Sequence, residues 1–129
     1  MTLPNVEGMV TAHLTASVGV APVPALPEAK MWPAIRVTRW GGSPKVAHPF
    51  VLDRALVQVD VWATRKQAAW DLSSRVQESL TSDFPGVHAL GVVTLVEPGQ
   101  FSYRPDDVFD PPIPRYVLDF TIYARPLRG

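Results

Sequence analysis

The acidic run "RPDDVFD" holds the residues of this sequence most suited to chemistry. Asp106, Asp107 and Asp110 place three carboxylates within five positions, and carboxylate oxygens are the ligands that hard cations prefer. The run lacks the glycine and the terminal glutamate of a calcium-binding loop, which favours a solvated loop. A small hydrolase or metal-dependent nuclease that uses these three aspartates with His48 is a remote alternative.

No other group of residues predicts catalysis. His13, His48 and His88 have neither HxH nor HxxxH spacing, so they do not form a metal motif. No serine stands in a GxSxG elbow, and "WGGSPK" matches no phosphate-binding loop. The absence of cysteine excludes disulfides and thiolate metal sites. We therefore predict a protein that is not an enzyme and that needs no cofactor or metal.

The charge balance indicates recognition by shape. Lysine and arginine number 12, and so do aspartate and glutamate, so no net field draws the chain to nucleic acid or to anionic lipid.

No run approaches the roughly 20 apolar residues that cross a bilayer, and the N-terminus lacks the pattern of a signal peptide. We expect a soluble intracellular protein without a membrane partner. Specific nucleic-acid binding is a minor alternative, which would use Arg36, Arg39, Arg54, Arg65 and Lys66.

The length of 129 residues fits a single domain over residues 1–129. We expect an N-terminal helix and a proline-rich connection in residues 1–30, and a sheet with a second helix in residues 31–126. Proline accounts for 14 residues, about twice the average share. Many of these prolines lie in "APVPALPEAKMWP" (residues 21–33) and "DPPIP", which are typical of stiff extended connections.

Hydrophobic periodicity predicts the elements. Residues 4–18 form a helix, and strands follow at 34–40 and 55–63. A second helix starts near residue 65, and further strands span 89–97 and 114–126. Long loops at 41–54 and 98–113 connect them.

The order α-β-β-α-β-β predicts an α+β fold, in which two helices pack on one face of a mostly antiparallel four-stranded sheet. The helices should bury Val6, Val10, Leu14 and Val18 in the first, and Ala68, Ala69, Leu72, Val76 and Leu80 in the second.

The two faces of the sheet differ in composition. Alternation places a core on the helical side, formed by Ile35, Val37, Val57, Val59, Val61, Leu118, Phe120 and Ile122. The opposite face, which we call the open face, then carries Arg36, Thr38, Trp40, Gln58, Asp60, Trp62, Asp119, Thr121 and Tyr123. Aromatic residues beside paired charges favour a protein interface there, although a solvated antiparallel face is the alternative. Pairing of strands between subunits would also protect the sheet edges.

A resemblance to a known family supports the interface. The R-V-x-R-x-G-G exit from the first strand, in "PAIRVTRWGG", and the V-D-V-W-A strand leading into "TRKQAAWDL" are similar to those of tail-terminator (tail-completion) proteins of long-tailed phages. "GVVTLVE", a loop with "RPD" and "RYVLDFTIYARP" complete the pattern, which covers about residues 30–126. These patterns describe a fold and no catalytic signature.

The resemblance implies a virion protein that assembles as a hexameric ring on the last ring of tail-tube protein. Such a ring stops tube growth and presents the surface that joins the head, with DNA only as passing cargo in its lumen. Tail-tube protein and a head-tail connector would be the partners, first in the host cytoplasm and then at the tail end of the neck. A head-closure or head-tail joining protein is the nearest alternative. As subunit or tube contacts we select Arg36, Arg39, Trp40, Asp53, Arg54, Asp60, Trp62, Arg104, Asp106, Asp119 and Tyr123.

Overall fold

The first helix caps one side of the sheet. In the computed structural model, which describes residues 3–23, 31–47 and 50–127, helix α1 spans Val6–Ser17. Asn5 caps it by accepting a hydrogen bond from the Gly8 amide at 3.0 Å, which satisfies one of the free donors of the first turn. The predicted stripe is confirmed, because Val6, Val10, Leu14 and Val18 are all buried. The helix packs against the sheet of its own subunit.

One antiparallel sheet forms the body of the fold. Its strands are β1 (Ala34–Ala47), β2 (Phe50–Trp62), β3 (Gly86–His88), β4 (Gly91–Tyr103) and β5 (Arg115–Arg125), in the spatial order β1-β2-β5-β4-β3. The predicted α+β class and element order are confirmed. The sheet has five strands instead of four, because the short β3 pairs with the beginning of β4.

The predicted loop at 41–54 is wrong. These residues extend β1 and β2 into a long hairpin whose pairing runs to Ala47↔Phe50, although Gly41, Gly42 and Pro44 are typical loop residues. The last pair between β2 and β5 is Asp53↔Ala124. Residues 45–47 and 50–52 therefore extend about 10 Å past β5, at roughly 3.4 Å per residue, and we call them the hairpin arm.

A β-bulge separates the hairpin arm from the first half of β1. Arg39 pairs with Val57, but the next partner, Leu56, pairs with Gly41, so Trp40 is an extra residue. Gly42 follows with φ of +97°, and a Cβ there would lie 2.0 Å from the Arg54 carbonyl oxygen. Only glycine fits this position, since it tolerates both the positive φ and the close backbone approach.

The second helix, α2, spans Lys66–Glu78 and continues as a π-helical turn, Ser79–Asp83. Of its predicted stripe, Ala69, Leu72, Val76 and Leu80 are buried. The prediction for Ala68 is wrong, because that residue is exposed. Ser73, five residues further along the helix, is buried instead.

The core lies between the helices and the sheet. All eight strand residues that alternation placed on the helical side are buried. Tyr116, Ala124, Val93 and Val96 join them from β4 and β5. No helix among the described residues is long and apolar enough to cross a membrane.

The open face is partly covered by the chain itself. We expected Asp60 and Trp62 to be displayed there, but both are fully buried. The predicted loop at 98–113 begins as strand, since β4 continues to Tyr103. The remainder, residues 104–113, folds back toward Trp62, and the Trp32 ring lies near both Trp62 and Phe109. The exposure expected for this end of the open face is therefore wrong.

Candidate functional site

The buried end of the open face is a cluster built around Trp62. Two guanidinium groups lie near its indole, with Arg36 Cζ 5.3 Å and Arg115 Cζ 6.0 Å from the ring centroid. Trp62 Nε1 donates to Asp106 Oδ2 at 2.9 Å. The Trp32 ring lies 6.3 Å from it. Cation–π contacts and a satisfied indole N–H allow a tryptophan to be buried beside charged groups.

Asp60 neutralises one of these guanidinium groups. Arg36 donates to Asp60 Oδ2 from Nε at 3.0 Å and from Nη2 at 2.5 Å. Gln58 Nε2 donates to the other oxygen, Oδ1, at 3.0 Å. Both carboxylate oxygens are thus hydrogen-bonded, which a buried charge requires.

Asp106 fastens the segment 104–113 onto the sheet. Its backbone exchanges two hydrogen bonds with Ile113, at 2.8 and 3.1 Å, and its Oδ1 accepts from the Val108 amide at 3.2 Å. Two hydrogen bonds of 2.8 Å close the base of the segment. The Arg104 amide donates to the Arg115 carbonyl oxygen, and Arg115 Nε donates to the Arg104 carbonyl oxygen. The Asp106 carboxylate is therefore engaged in structural hydrogen bonds. Asp107 and Asp110 are exposed.

Arg39 and Asp53 lie on the helical side of the sheet, not on the open face. The Arg39 guanidinium forms a two-pronged contact with the buried Asp53 carboxylate, with Nη2–Oδ1 at 2.7 Å and a second bond from Nη1 to Oδ2. These hydrogen bonds raise the pKa of Arg39. Its backbone amide donates to Glu7 Oε2 at 2.8 Å, which ties α1 to β1. Trp40, the bulge residue, is 60% exposed.

Arg54, Asp119 and Tyr123 occupy the accessible part of the open face. All three are half-buried. Arg54 is the cross-strand partner of Tyr123, which in turn pairs with Leu95 of β4. Hydrogen bonding to Glu97 raises the pKa of the Tyr123 phenol. This part of the face presents apolar, aromatic and charged groups side by side, and aromatic residues and arginine are enriched in protein interfaces.

Sequence reasoning missed an aromatic surface on the helical side. Trp70 of α2 lies 5.1 Å from Phe101 and 5.6 Å from Tyr116, measured between ring centroids. Tyr103 adjoins Tyr116 at 5.0 Å, and Lys66 Nζ lies 4.3 Å from the Tyr103 centroid. We call these five residues with Gln67 the aromatic groove. An open cavity of about 420 Å³ in it is lined by Lys66, Gln67, Trp70 and Tyr116. The available signal was Trp70, which falls outside the buried stripe of its helix.

A second missed feature is a polar contact between α1 and the π-helical turn. His13 Nε2 lies 2.9 Å from Ser79 Oγ, and Ser79 Oγ lies 2.7 Å from Ser17 Oγ. Burial lowers the pKa of His13, while a hydrogen bond to the Ser79 carbonyl opposes this effect and His88 adds to it. Ser79 is itself buried, so its hydroxyl is not open to a substrate.

The described residues contain no group of three histidine, cysteine, aspartate or glutamate side chains placed to hold a metal. His48, which the hydrolase alternative requires, lies outside the described residues. Asp106 serves the fold, as shown above. The arrangement thus offers packing and polar contact surfaces.

The comparisons with known proteins agree with this description. The family model described as "Tail completion protein gp17" matches residues 9–122. A chain from the structure titled "Virion of native gene transfer agent (GTA) particle" has a similar fold, with a TM-score of 0.61 at 16% identity over 89% of this chain and 84% of that chain. No curated protein matches the sequence. The chain therefore belongs to the tail completion protein gp17 family, whose members are structural, non-enzymatic virion proteins.

Proposed function

We propose that this protein is a tail terminator, which forms a closed ring, predicted to be a hexamer, on the end of the tail tube. The ring ends polymerisation of the tube and provides the surface that joins the head. Membership of the tail completion family carries this proposal. Tail-tube protein and a head-tail connector are the partners, and assembly takes place in the host cytoplasm.

The hairpin arm supports a contact along the tail axis. In the part of the chain that the structure describes, no third strand pairs with it beyond the end of the β2–β5 ladder, and a two-stranded ribbon is marginally stable in water on its own. Contact with another protein would stabilise it. The arm therefore takes a tube-binding or connector-binding role. Segment 104–113 is fastened to its own sheet, so its contribution is the outer surface that Arg104 and Asp107 present.

The accessible open face supports contacts between subunits. Arg54, Asp119 and Tyr123 reach its surface directly, and Trp40 is exposed at the bulge. Buried members of the predicted set, such as Asp60 and Trp62, act by supporting that surface from beneath. A closed ring repeats one contact by rotation, so each subunit needs two different complementary patches. With zero net charge, the lumen would let DNA pass without a strong grip on phosphates.

Tube growth in the presence of the purified protein tests the proposal. Tail-tube protein is polymerised alone, with the intact protein, and with a variant whose hairpin arm is replaced by a two-glycine turn. Electron micrographs should show shorter tubes capped by rings only with the intact protein. Circular dichroism and unfolding curves establish that the variant is folded.

Two outcomes would contradict the proposal. If tube length is unchanged and no ring is seen at tube ends, the protein is not a terminator. If the protein binds the head connector and not the tube, it is a head-closure or joining protein. Gene removal separates the same two functions, because tails of indefinite length indicate a missing terminator and normal tails without heads indicate a missing joining protein.

A further inference from the structure

The aromatic groove is a surface that none of the described elements covers. Trp70 is 46% exposed and Tyr103 is 38% exposed, and the rings of both residues lie against Tyr116. Large aromatic side chains gathered at the surface of a protein mark sites of protein contact. The groove is therefore an accessible contact site on the helical side of the sheet.

The groove is positively charged where α2 begins. Lys66 lies over the Tyr103 ring, with Nζ 4.3 Å from its centroid, and the adjacent Arg65 is exposed. The first turn of α2 contains no acidic residue, and its N-cap residue, Arg65, makes no side-chain cap hydrogen bond. The positive end of the helix dipole thus has the same sign as these two side chains. A complementary occupant combines acidic groups with an apolar side chain that packs on the rings.

The turn at the tip of segment 104–113 has this composition. Asp107 and Asp110 are exposed on it, and Val108 between them is 70% exposed. The Asp106 carboxylate orders the turn by accepting a hydrogen bond from the Val108 amide at 3.2 Å. A surface that is ordered before binding loses little conformational entropy when it binds. The turn therefore presents one apolar side chain between two negative charges in a fixed arrangement.

The groove and this turn lie at the same end of the sheet but on opposite faces. Tyr116, in the groove, follows Arg115, which is the cross-strand partner of Trp62. The turn is attached to the same end, because Trp62 Nε1 donates to Asp106 Oδ2. Tyr116 faces the core on the helical side, whereas Trp62 belongs to the open face. Since the sheet separates them, the turn of one chain fits the groove of another copy and not its own.

This placement suits a ring that is built by rotation. Rotation about an axis leaves the height along that axis unchanged, so two patches that meet in a closed ring lie at the same height. The groove and the turn meet this condition when the strands run along the axis. The hairpin arm then lies at the other end of β2, which spans Phe50–Trp62 and measures about 40 Å. That position agrees with the contact along the tail axis proposed for the arm.

We infer that the turn at residues 107–110 of one subunit docks in the aromatic groove of the next copy. This inference rests on the proposed ring and specifies one of its contacts. Val108 packs on the Trp70 ring, and the two acidic side chains of the turn lie beside Lys66 of the neighbouring copy. The turn and the groove are then the two unlike patches that a rotational contact requires.

Cysteine cross-linking tests the contact, because the chain has no cysteine of its own. Two single variants, Val108→Cys and Gln67→Cys, are mixed with tail tubes under mild oxidation, and mixed disulfide dimers are counted by mass spectrometry. The matched control replaces Gln67→Cys with Glu78→Cys, which is exposed on the same helix about 16 Å further along. We expect on the order of tenfold more mixed dimer with Gln67→Cys, since docking raises the local concentration of the two thiols.

An exchange of charges provides an independent test. Lys66→Glu and Asp107→Lys, each at an exposed position, bring like charges together and should lower the share of protein in rings at least about threefold. Both substitutions in one chain should recover most of that loss, because each contact again pairs opposite charges. Glu78→Lys, away from the groove, should leave assembly unchanged, and circular dichroism establishes that every variant is folded. A combined variant that assembles no better than the single ones would overturn the inference.

The mass of the unmodified protein, alone and on tail tubes, is measured in parallel. Rings in which both cysteine pairs cross-link equally would overturn the inference and leave the proposed function intact. If Trp70→Ala leaves ring formation unchanged but prevents binding to tubes, the groove holds tail-tube protein, which would also overturn the inference alone. A protein that stays monomeric even with tubes would overturn both proposals.

Discussion

Replacing Asp106 should destabilise the fold much more than replacing its neighbour Asp107. Asp106 is buried, and its carboxylate accepts hydrogen bonds from Trp62 Nε1 at 2.9 Å and from the Val108 amide at 3.2 Å. Asp107 is exposed. The two substitutions to alanine remove the same formal charge from adjacent positions, so the difference between them isolates the buried contacts.

The magnitude follows from the hydrogen bonds that are lost. A hydrogen bond to a charged group contributes about 1.5–3 kcal/mol, and a buried donor without a partner costs about 1–3 kcal/mol. Asp106→Ala leaves the indole N–H of the fully buried Trp62 without its acceptor. Relief from burying the carboxylate offsets part of the loss, so we expect a decrease of about 2–4 kcal/mol in the free energy of unfolding. Asp107→Ala should change it by less than about 0.5 kcal/mol.

Urea unfolding followed by tryptophan fluorescence measures both variants. Asp106→Asn should lie between them, because its amide oxygen can still accept from Trp62 while the second acceptor is lost. For a chain of this length, a loss of 3 kcal/mol corresponds to a decrease of roughly 10 °C in Tm. Equal effects of Asp106→Ala and Asp107→Ala would refute the assignment of Asp106 as the fastening of segment 104–113.

Four further substitutions test other parts of the fold by the same unfolding measurement. Gly42→Ala should lower the free energy of unfolding by more than about 2 kcal/mol, because its Cβ would meet the Arg54 carbonyl. Gly19→Ala, at φ of +83° in open space, should lower it by only about 1 kcal/mol. Equal losses would contradict the steric argument. Ser73→Ala should raise the free energy of unfolding by about 1 kcal/mol, since the buried hydroxyl has no hydrogen-bond partner among the described residues, and a loss of stability would disprove this. Folding lowers the pKa of His13 below its ordinary 6.5, so the unfolded chain binds the proton first and stability should fall as pH decreases from 6.5 toward the lower folded-state value. The His13→Gln variant should show less of this dependence, and an unchanged pH profile would contradict it.

Hydrophobic periodicity predicted the helices, the core and the order of elements because each depends on local alternation. Val57, Val59 and Val61 alternate without interruption, and their partners on β5 do the same. The long hairpin escaped prediction because Gly42 and Pro44 suit a loop as well as they suit a bulged edge strand. Local sequence contains no record of the partner strand that decides between them.

The candidate site was predicted less well, for a related reason. Alternation assigned Asp60 and Trp62 correctly to the face away from the helices, but alternation cannot show that a distant segment covers that face. The contact that buries Trp62 joins it to Asp106, 44 residues away in the chain. The aromatic groove likewise brings together Trp70 and Tyr116 from separate elements. Such placements depend on tertiary packing and not on local pattern.

The extra residue at Trp40 sets the direction in which the hairpin leaves the body of the fold. A bulge bends and twists its strand locally, and six residues separate Gly41 from Ala47 at the far end of the pairing, or about 20 Å. A change of about 20° at the bulge would therefore move that end by about 7 Å, which is more than the spacing of two strands. Insertion or deletion of one amino acid there would redirect the protruding ribbon while the residues that pack between the helices and the sheet stay in place, so its direction can change at little cost to folding.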